Sequence, residues 1–264
     1  MKSVFYHFLF SILFISGCNT NNNSENTSSI EVTSDAPSNL PDPFSKGLST
    51  HGGIDRWRSF QTVSYELVTP SMKQGQLIDL HTRKVLISDS LYSLGFDGKQ
   101  VWVSPGLAAF GDGSPRFYHN LYFYFFAMPY VLADPGIQYE DLGIQTINEK
   151  SYNAIKVSYD QGIGDSPEDF YVAHFDLETG LMEVLLYTVT YFSKESHEKY
   201  NALVYEWQEV EGLQVTKSFK GYKYDSNRLG ELRYEASFHN VQFSKEKPLD
   251  SLFSIPDIAE VDSL

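Results

Sequence analysis

Residues 116–136 read RFYHNLYFYFFAMPYVLADPG. Phe117, Tyr118, Leu121, Tyr122, Phe123, Tyr124, Phe125 and Phe126 crowd between Arg116 and Met128, and only His119 and Asn120 interrupt them with polar groups. The spacing predicts a helix of about three turns, apolar on nearly every side and closed by Pro129. Such a segment has three possible homes: a bilayer, a protein core, or the wall of a site for a greasy molecule. A bilayer span needs about 20 apolar residues, so this one is too short and too polar at its start. The choice left open is between core and wall, and it depends on what the rest of the chain folds into.

That rest reads as β structure. Aromatic residues make up 15% of the chain while charged residues make up only 20%, a balance that favours pleated, half-buried surfaces. Short β-prone segments at 60–69, 74–80, 83–90, 91–96 and 99–104 precede the aromatic stretch. Others follow at 137–142, 151–160, 169–176, 181–193, 199–210, 213–225 and 229–244. Ile155, Val157 and Tyr159 alternate with Lys156, Ser158 and Asp160. Leu232, Tyr234, Ala236 and Phe238 alternate in the same way with Glu231, Arg233, Glu235 and Ser237, the period of a strand with one buried face. Asp97-Gly98, Glu178-Thr179-Gly180 and Glu211-Gly212 supply the turns. Ahead of them, DPFSKGLSTHGGIDRWRSF reads as a helix or pair of helical turns, starting at Asp42-Pro43 and broken at Gly52-Gly53. The expected fold is mainly β: one large curved antiparallel sheet with helices, the aromatic one included, on its concave side.

The sequence offers little covalent chemistry. A formal net charge of −14 with a pI near 4.8 argues against a nucleic-acid partner, which requires a basic face. His51-Gly52-Gly53 has the form of an oxyanion-hole glycine turn, but no Gly-x-Ser-x-Gly elbow accompanies it; two glycines at a helix end explain it as well. The seven histidines form no HExxH or His-x-His pattern, and no phosphate, dinucleotide or calcium loop is present, so no metal or cofactor is expected. Glu66 and Asp79 fall on neighbouring strands, as an acid and a base would. Arg116, His119 and Asn120 fall within one helical turn and suit a polar or anionic headgroup. Equally, His119 is satisfied by a backbone carbonyl while Arg116 pairs with an acid.

The N-terminus, MKSVFYHFLFSILFISGC, has Lys2, an apolar run from Val4 to Ile15, and Ser16-Gly17 before Cys18, the only cysteine in the chain. This resembles a bacterial lipoprotein signal, which implies removal of residues 1–17 and a lipid on Cys18. Residues 18–43, rich in Asn, Ser, Thr and Pro, read as a flexible tether. Residues 44–264 read as one domain. No charged run follows Cys18, which favours an outer-membrane lipoprotein of a Gram-negative bacterium facing the periplasm.

Several motifs resemble the half-barrel fold of the LolA/LolB lipoprotein-localisation factors: GFDGKQVWV, FDLETGLMEVLLY, YEWQEVEGLQVTKSF and LDSLFSIP. That resemblance implies a sheet of about eleven strands closing over helices around an apolar cavity. The chain departs from it at Thr216, near which relatives often carry Pro. HGGIDRW together with the aromatic stretch is similar to a family of exported Gram-negative proteins common in Bacteroidota, to which no activity attaches. The expectation is a monomeric, membrane-anchored protein that holds an acyl chain, lipid or lipidated peptide against Arg116, Phe117, His119, Asn120, Leu121, Tyr122, Phe123, Phe125 and Met128. A hydrolase working on a lipid or glycan in the same cavity, and a non-catalytic interaction module of an envelope complex, are the alternatives. Cys18 is expected to carry the lipid: an alkyne fatty acid should label the wild type and not Cys18→Ala, and equal labelling of both, or of neither, contradicts it.

Overall fold

The computed structural model describes residues 40–159, 169–191 and 199–262; Cys18, the leader and most of the tether segment lie outside them. The chain enters through helices α1 (Asp42–Thr50) and α2 (Ile54–Arg58). Five strands follow: β1 (Thr62–Thr69), β2 (Met72–Asp79), β3 (Val85–Ser88), β4 (Ser93–Phe96) and β5 (Val101–Ser104). The aromatic stretch then forms α3 (Pro115–Tyr118), α4 (Leu121–Phe126) and a 3-10 turn (Tyr130–Ala133). A second meander completes the chain: β6 (Ile137–Ile147), β7 (Lys150–Tyr159), β8 (Tyr171–Asp176), β9 (Met182–Tyr187), β10 (Asn201–Val210), β11 (Leu213–Asp225), β12 (Arg228–Ser244) and β13 (Glu260–Asp262).

The thirteen strands of the described residues make one antiparallel sheet in the order β13-β5-β4-β3-β2-β1-β12-β11-β10-β9-β8-β7-β6. The two meanders are joined where β1 pairs with β12, Thr62 opposite Ser244 and Val68 opposite Ser237. The count exceeds the eleven implied by resemblance. One of the additions is β13, three residues that pair with Val101–Val103 and are too short to carry a periodic signal of their own. The turns are where the sequence puts them. Asp97 Oδ1 accepts from the amides of Lys99 and Gln100, and Asp176 Oδ1 accepts from those of Glu178 and Thr179. Glu211 and Gly212 both take positive φ, the conformation a two-residue hairpin demands.

The sheet is strongly curled. β2 and β6 stand eight strand spacings apart, about 38 Å along a flat sheet. Yet Arg83, at the β2–β3 turn, binds Asp134 at 2.5 Å, while Tyr139 on β6 donates to the carbonyl of Leu132 at 2.7 Å. The β2–β3 turn and the edge strand β6 thus reach the same short turn, so this part of the sheet wraps around it. Bulges assist the bend. One of them corrects the expected alternation on β12: Tyr222 pairs with Leu232 and Gly221 with Tyr234, which leaves Arg233 as the extra residue. Leu232 therefore leaves the face that holds Tyr234, Ala236 and Phe238, and it is exposed.

One end of the trough is sealed by a polar latch. The His51 ring is fully buried; Nδ1–H donates to the Gln214 carbonyl and Nε2 accepts from the Met182 amide, both at 3.1 Å. The His51 carbonyl accepts from the Gln214 amide at 2.8 Å and from the Tyr130 hydroxyl. Tyr130 in turn stacks on Trp57, centroids 4.5 Å apart and planes 3° from parallel. Gly52 at φ 105° packs so closely on the Gly212 carbonyl that no side chain fits there. One histidine and one tyrosine thereby fasten α1, α2 and the 3-10 turn to β9 and β11.

Burial holds the His51 ring neutral, pushing its pKa down to about 4. His174, buried on the opposite face of the sheet beside Tyr152, is lowered to about 4 for the same reason. The unfolded chain protonates both below about 6.5 and the folded chain does not, so stability is full above pH 6.5 and falls as pH drops towards 4. Each ring contributes at most about 3 kcal/mol to that loss. Urea midpoints should decline steadily between pH 7 and pH 4.5; a level midpoint across that window contradicts two buried neutral imidazoles.

Candidate functional site

The aromatic stretch occupies the concave face, but not as the single continuous helix its spacing predicts. It breaks at His119 and Asn120. The His119 ring turns back and its Nδ1–H donates to the Arg116 carbonyl, the acceptor that the Asn120 amide needs for the helix to continue. Asn120 Nδ2 then donates to His119 Nε2 at 2.8 Å. Two of the three groups expected to hold a headgroup therefore bind each other and the backbone. Their partner Arg116 is fixed from another direction, its amide donating to Asp262 Oδ2 at 3.1 Å. Of the trio, only Asn120 Oδ1 is buried without a partner among the described residues.

Depth divides the other expected site residues. Phe123 and Met128 are fully buried and Phe125 nearly so, while Phe117, Leu121 and Tyr122 are half-buried. The deep set is core. Phe126 tilts against Tyr65 at 4.6 Å and Phe238 at 5.1 Å, and Phe125 meets Tyr187 and Phe219 edge-on. Thr216 on β11 donates its hydroxyl to the carbonyls of Phe125 and Phe126 at 3.3 and 2.9 Å. These bonds satisfy carbonyls that the end of α4 leaves without a helical partner. Beyond α4, Arg83 lies over the Phe123 ring at 5.2 Å as it binds Asp134, and Arg58 donates to the Ala133 carbonyl at 3.0 Å. Burial raises the Asp134 pKa against the opposing pull of Arg83 and Arg58.

The half-buried set faces the end of the trough away from the latch, and tyrosines line it. Tyr118 donates to Gln74 Oε1 at 2.8 Å, and Gln74 Nε2 donates to the Tyr92 hydroxyl at 2.7 Å. Across the trough, Tyr187 on β9 and Tyr234 on β12 bond hydroxyl to hydroxyl. Tyr234 reaches β9 because Gly221 on the intervening β11 has no Cβ to block its ring. Tyr205 lies between them against Phe219 and stacked on Trp207 at 5.1 Å. Burial pushes the pKa of Tyr122, Tyr187, Tyr205 and Tyr234 upward, so all four are neutral hydrogen-bonding groups at physiological pH. Sequence reasoning missed this set because its members come from α4 and three separate strands, β9, β10 and β12. The one local signal is Gly221, an isolated glycine inside a strand, which marks a close approach.

The other chemical candidates are used elsewhere. The Gly52 and Gly53 amides donate to the Ser49 and Leu48 carbonyls at 3.0 and 2.9 Å, so they cap α1 and leave no oxyanion hole. Glu66 pairs with Lys73 at 2.9 Å. Asp79 accepts from the His81 and Thr82 amides four residues past Gly75, the register partner of Glu66. Acid and base do not meet. Among the described residues no cluster of three or more His, Cys, Asp or Glu is placed to hold a metal ion, and no helix is long and apolar enough to cross a membrane. Two open depressions, of about 370 and 450 Å³, lie beside Gly75 on β2 and beside Gly53 at the α1–α2 corner. Neither touches the aromatic stretch.

By sequence, the model of a family of unknown function, DUF6503, matches residues 103–223, a span from β5 through β11 that contains the whole aromatic stretch. No curated protein matches the chain. Among solved structures, a DUF1329 family protein from Desulfovibrio piger ATCC 29098 is similar at 12% identity and a TM-score of 0.49, covering 81% of this chain and 98% of its own. A LolA superfamily protein from Nitrosomonas europaea is similar at 8% identity and a TM-score of 0.39, covering 79% and 97%.

Proposed function

We propose that the protein is a lipid-anchored component of the bacterial envelope, tethered through Cys18 and facing the periplasm, that holds a hydrophobic ligand at the tyrosine-lined end of its trough. The ligand lies against Phe117, Leu121 and Tyr122, with Phe123, Phe125 and Met128 as the floor beneath it. One observation carries this reading: the same segment is packed solid at its latched end and leaves its aromatic rings half-exposed at the other. Half-buried aromatic surface in a concave setting gains from being covered by an acyl chain, about 0.8 kcal/mol per buried CH₂. The contact is non-covalent and needs no cofactor.

A second reading, an interaction module of an envelope complex, is favoured by a patch on the opposite face. Trp102 points away from the core formed by Val101 and Val103 and donates Nε1–H to the Phe253 carbonyl at 3.0 Å. Around the buried Phe253, Leu249, Leu252, Ile255 and Ile258 are exposed, Leu249 to 71% and Ile258 to 67%.

The two readings part on mutation. Phe123→Ala removes a packed ring and should cost about 3–5 kcal/mol of stability. Leu121→Ser with Tyr122→Ser should cost far less and weaken binding of a fluorescent fatty acid about tenfold or more. A wild type that never binds the probe contradicts the ligand reading. So does a double variant that binds as the wild type does.

A further inference from the structure

We propose that the open end of the trough carries an anion subsite, built on Arg233, that takes the ionised carboxylate of a long-chain acid whose hydrocarbon lies against Tyr122. The inference rests on the ligand-binding reading above and narrows its ligand class. His119 and Asn120, which the sequence offered for a headgroup, bind each other and the backbone. A headgroup at this end of the trough needs another partner, and Arg233 is placed to be it.

The bulge on β12 accounts for that placement. Regular alternation would put Arg233 on the face opposite Tyr234. As the extra residue between Leu232 and Tyr234, it turns to the same concave side. Its Nη1–H donates across β11 to Asn201 Oδ1 on β10 at 2.7 Å. Asn201 stands opposite Tyr187 on β9, so their side chains share a face. That face is the concave one, since the Tyr187 ring meets Phe125 of α4 at 5.1 Å. Tyr234 crosses β11 in the same direction to bond Tyr187. Guanidinium, amide and phenol pair therefore stand together beside half-buried Tyr122, whose hydroxyl feels that of Tyr187.

Charge decides the class. Arg233 is exposed and has no ion pair among the described residues. Lys223, opposite Asn201 on β11, takes the neighbouring carboxylate of Glu231 at 2.7 Å. Two cations thus face one acid, a positive spot in a chain whose formal net charge is −14. Asn201 occupies one of the five guanidinium donors, and a planar carboxylate fits the others two at a time. Tyr187 and Tyr234 hold two hydroxyl protons and use one in their mutual bond, so the second can donate to the same anion. Arg233 also pulls the pKa of both phenols down against burial, which means that it favours negative charge at their side. A carboxylate leaving water for this rim needs such a cation to offset its desolvation. An ester offers the guanidinium no charge.

The test compares a pyrene-labelled hexadecanoic acid with its methyl ester at pH 8, titrated into the wild-type protein, Arg233→Gln and Arg228→Gln. Arg233 and Arg228 are both exposed on β12, so either change leaves the fold intact. Arg228→Gln removes the same charge five residues away and controls for the field of the whole protein. The wild type should bind the acid about tenfold more tightly than the ester. Arg233→Gln should cut that ratio by about fivefold, the loss of a charge-assisted bond at a partly exposed site, with ester affinity kept within about twofold. Arg228→Gln should keep the wild-type ratio. Equal binding of acid and ester by the wild type overturns the anion subsite while leaving the ligand reading intact. So does a ratio that Arg233→Gln leaves unchanged, or one that Arg228→Gln lowers as far. If neither probe binds the wild type, the ligand reading falls and takes the subsite with it.

Discussion

A thirteen-stranded sheet curled about one apolar face creates a trough that has to be filled. Residues 115–134 fill it, and most of the architecture follows from how they are held. Phe123, Phe126 and Met128 supply the bulk. The backbone polar groups around them are met from the sheet by Thr216 and Tyr139 and from α2 by Arg58. The filler is too short and too irregular to stand as a helix of its own. It exists because the curl surrounds it, and the curl persists because the filler occupies its axis.

How much of this was legible in the sequence follows from range. Alternation over Ile155–Tyr159 reports a strand because the signal and its cause lie in the same five residues. The same reasoning fails at Leu232, where a bulge set by pairing with β11 reverses the face, and at β13, which is only an edge of β5. The aromatic stretch announced burial but not its break, since the competing bond from His119 to Arg116 overrides a spacing that reads as one helix. The nine expected site residues all lie on one segment, because a single sequence shows neighbours along the chain and not across it. The tyrosines that complete the open end come from β9, β10 and β12, and only Gly221 hinted at them.

The two ends of the trough differ in kind. At the latched end, His51, Tyr130 and Trp57 interlock through bonds to the backbone and ring stacking, with both His51 ring nitrogens and the Tyr130 hydroxyl partnered. At the open end, Tyr118, Tyr122 and Tyr234 stand half-buried beside apolar rings, and the buried Tyr205 hydroxyl has no partner among the described residues. A rigid end anchors the filler; a wetter end gives it room to yield. That asymmetry is what a protein needs if it is to keep its fold while a chain-like ligand slides against one part of its core.

Native-state hydrogen exchange tests that asymmetry most directly. The amides of Ala127, Val131 and Leu132, bonded to Phe123, Ala127 and Pro129, should exchange only through global unfolding, with a free energy equal to that from urea melts. The amides of Tyr118, His119 and Tyr124, bonded to the carbonyls of Ser114, Pro115 and Asn120, should exchange through a smaller opening, at least about 2 kcal/mol less costly. Equal protection along the whole stretch, or weaker protection at the latched end, would contradict a trough that is locked at one end and yielding at the other.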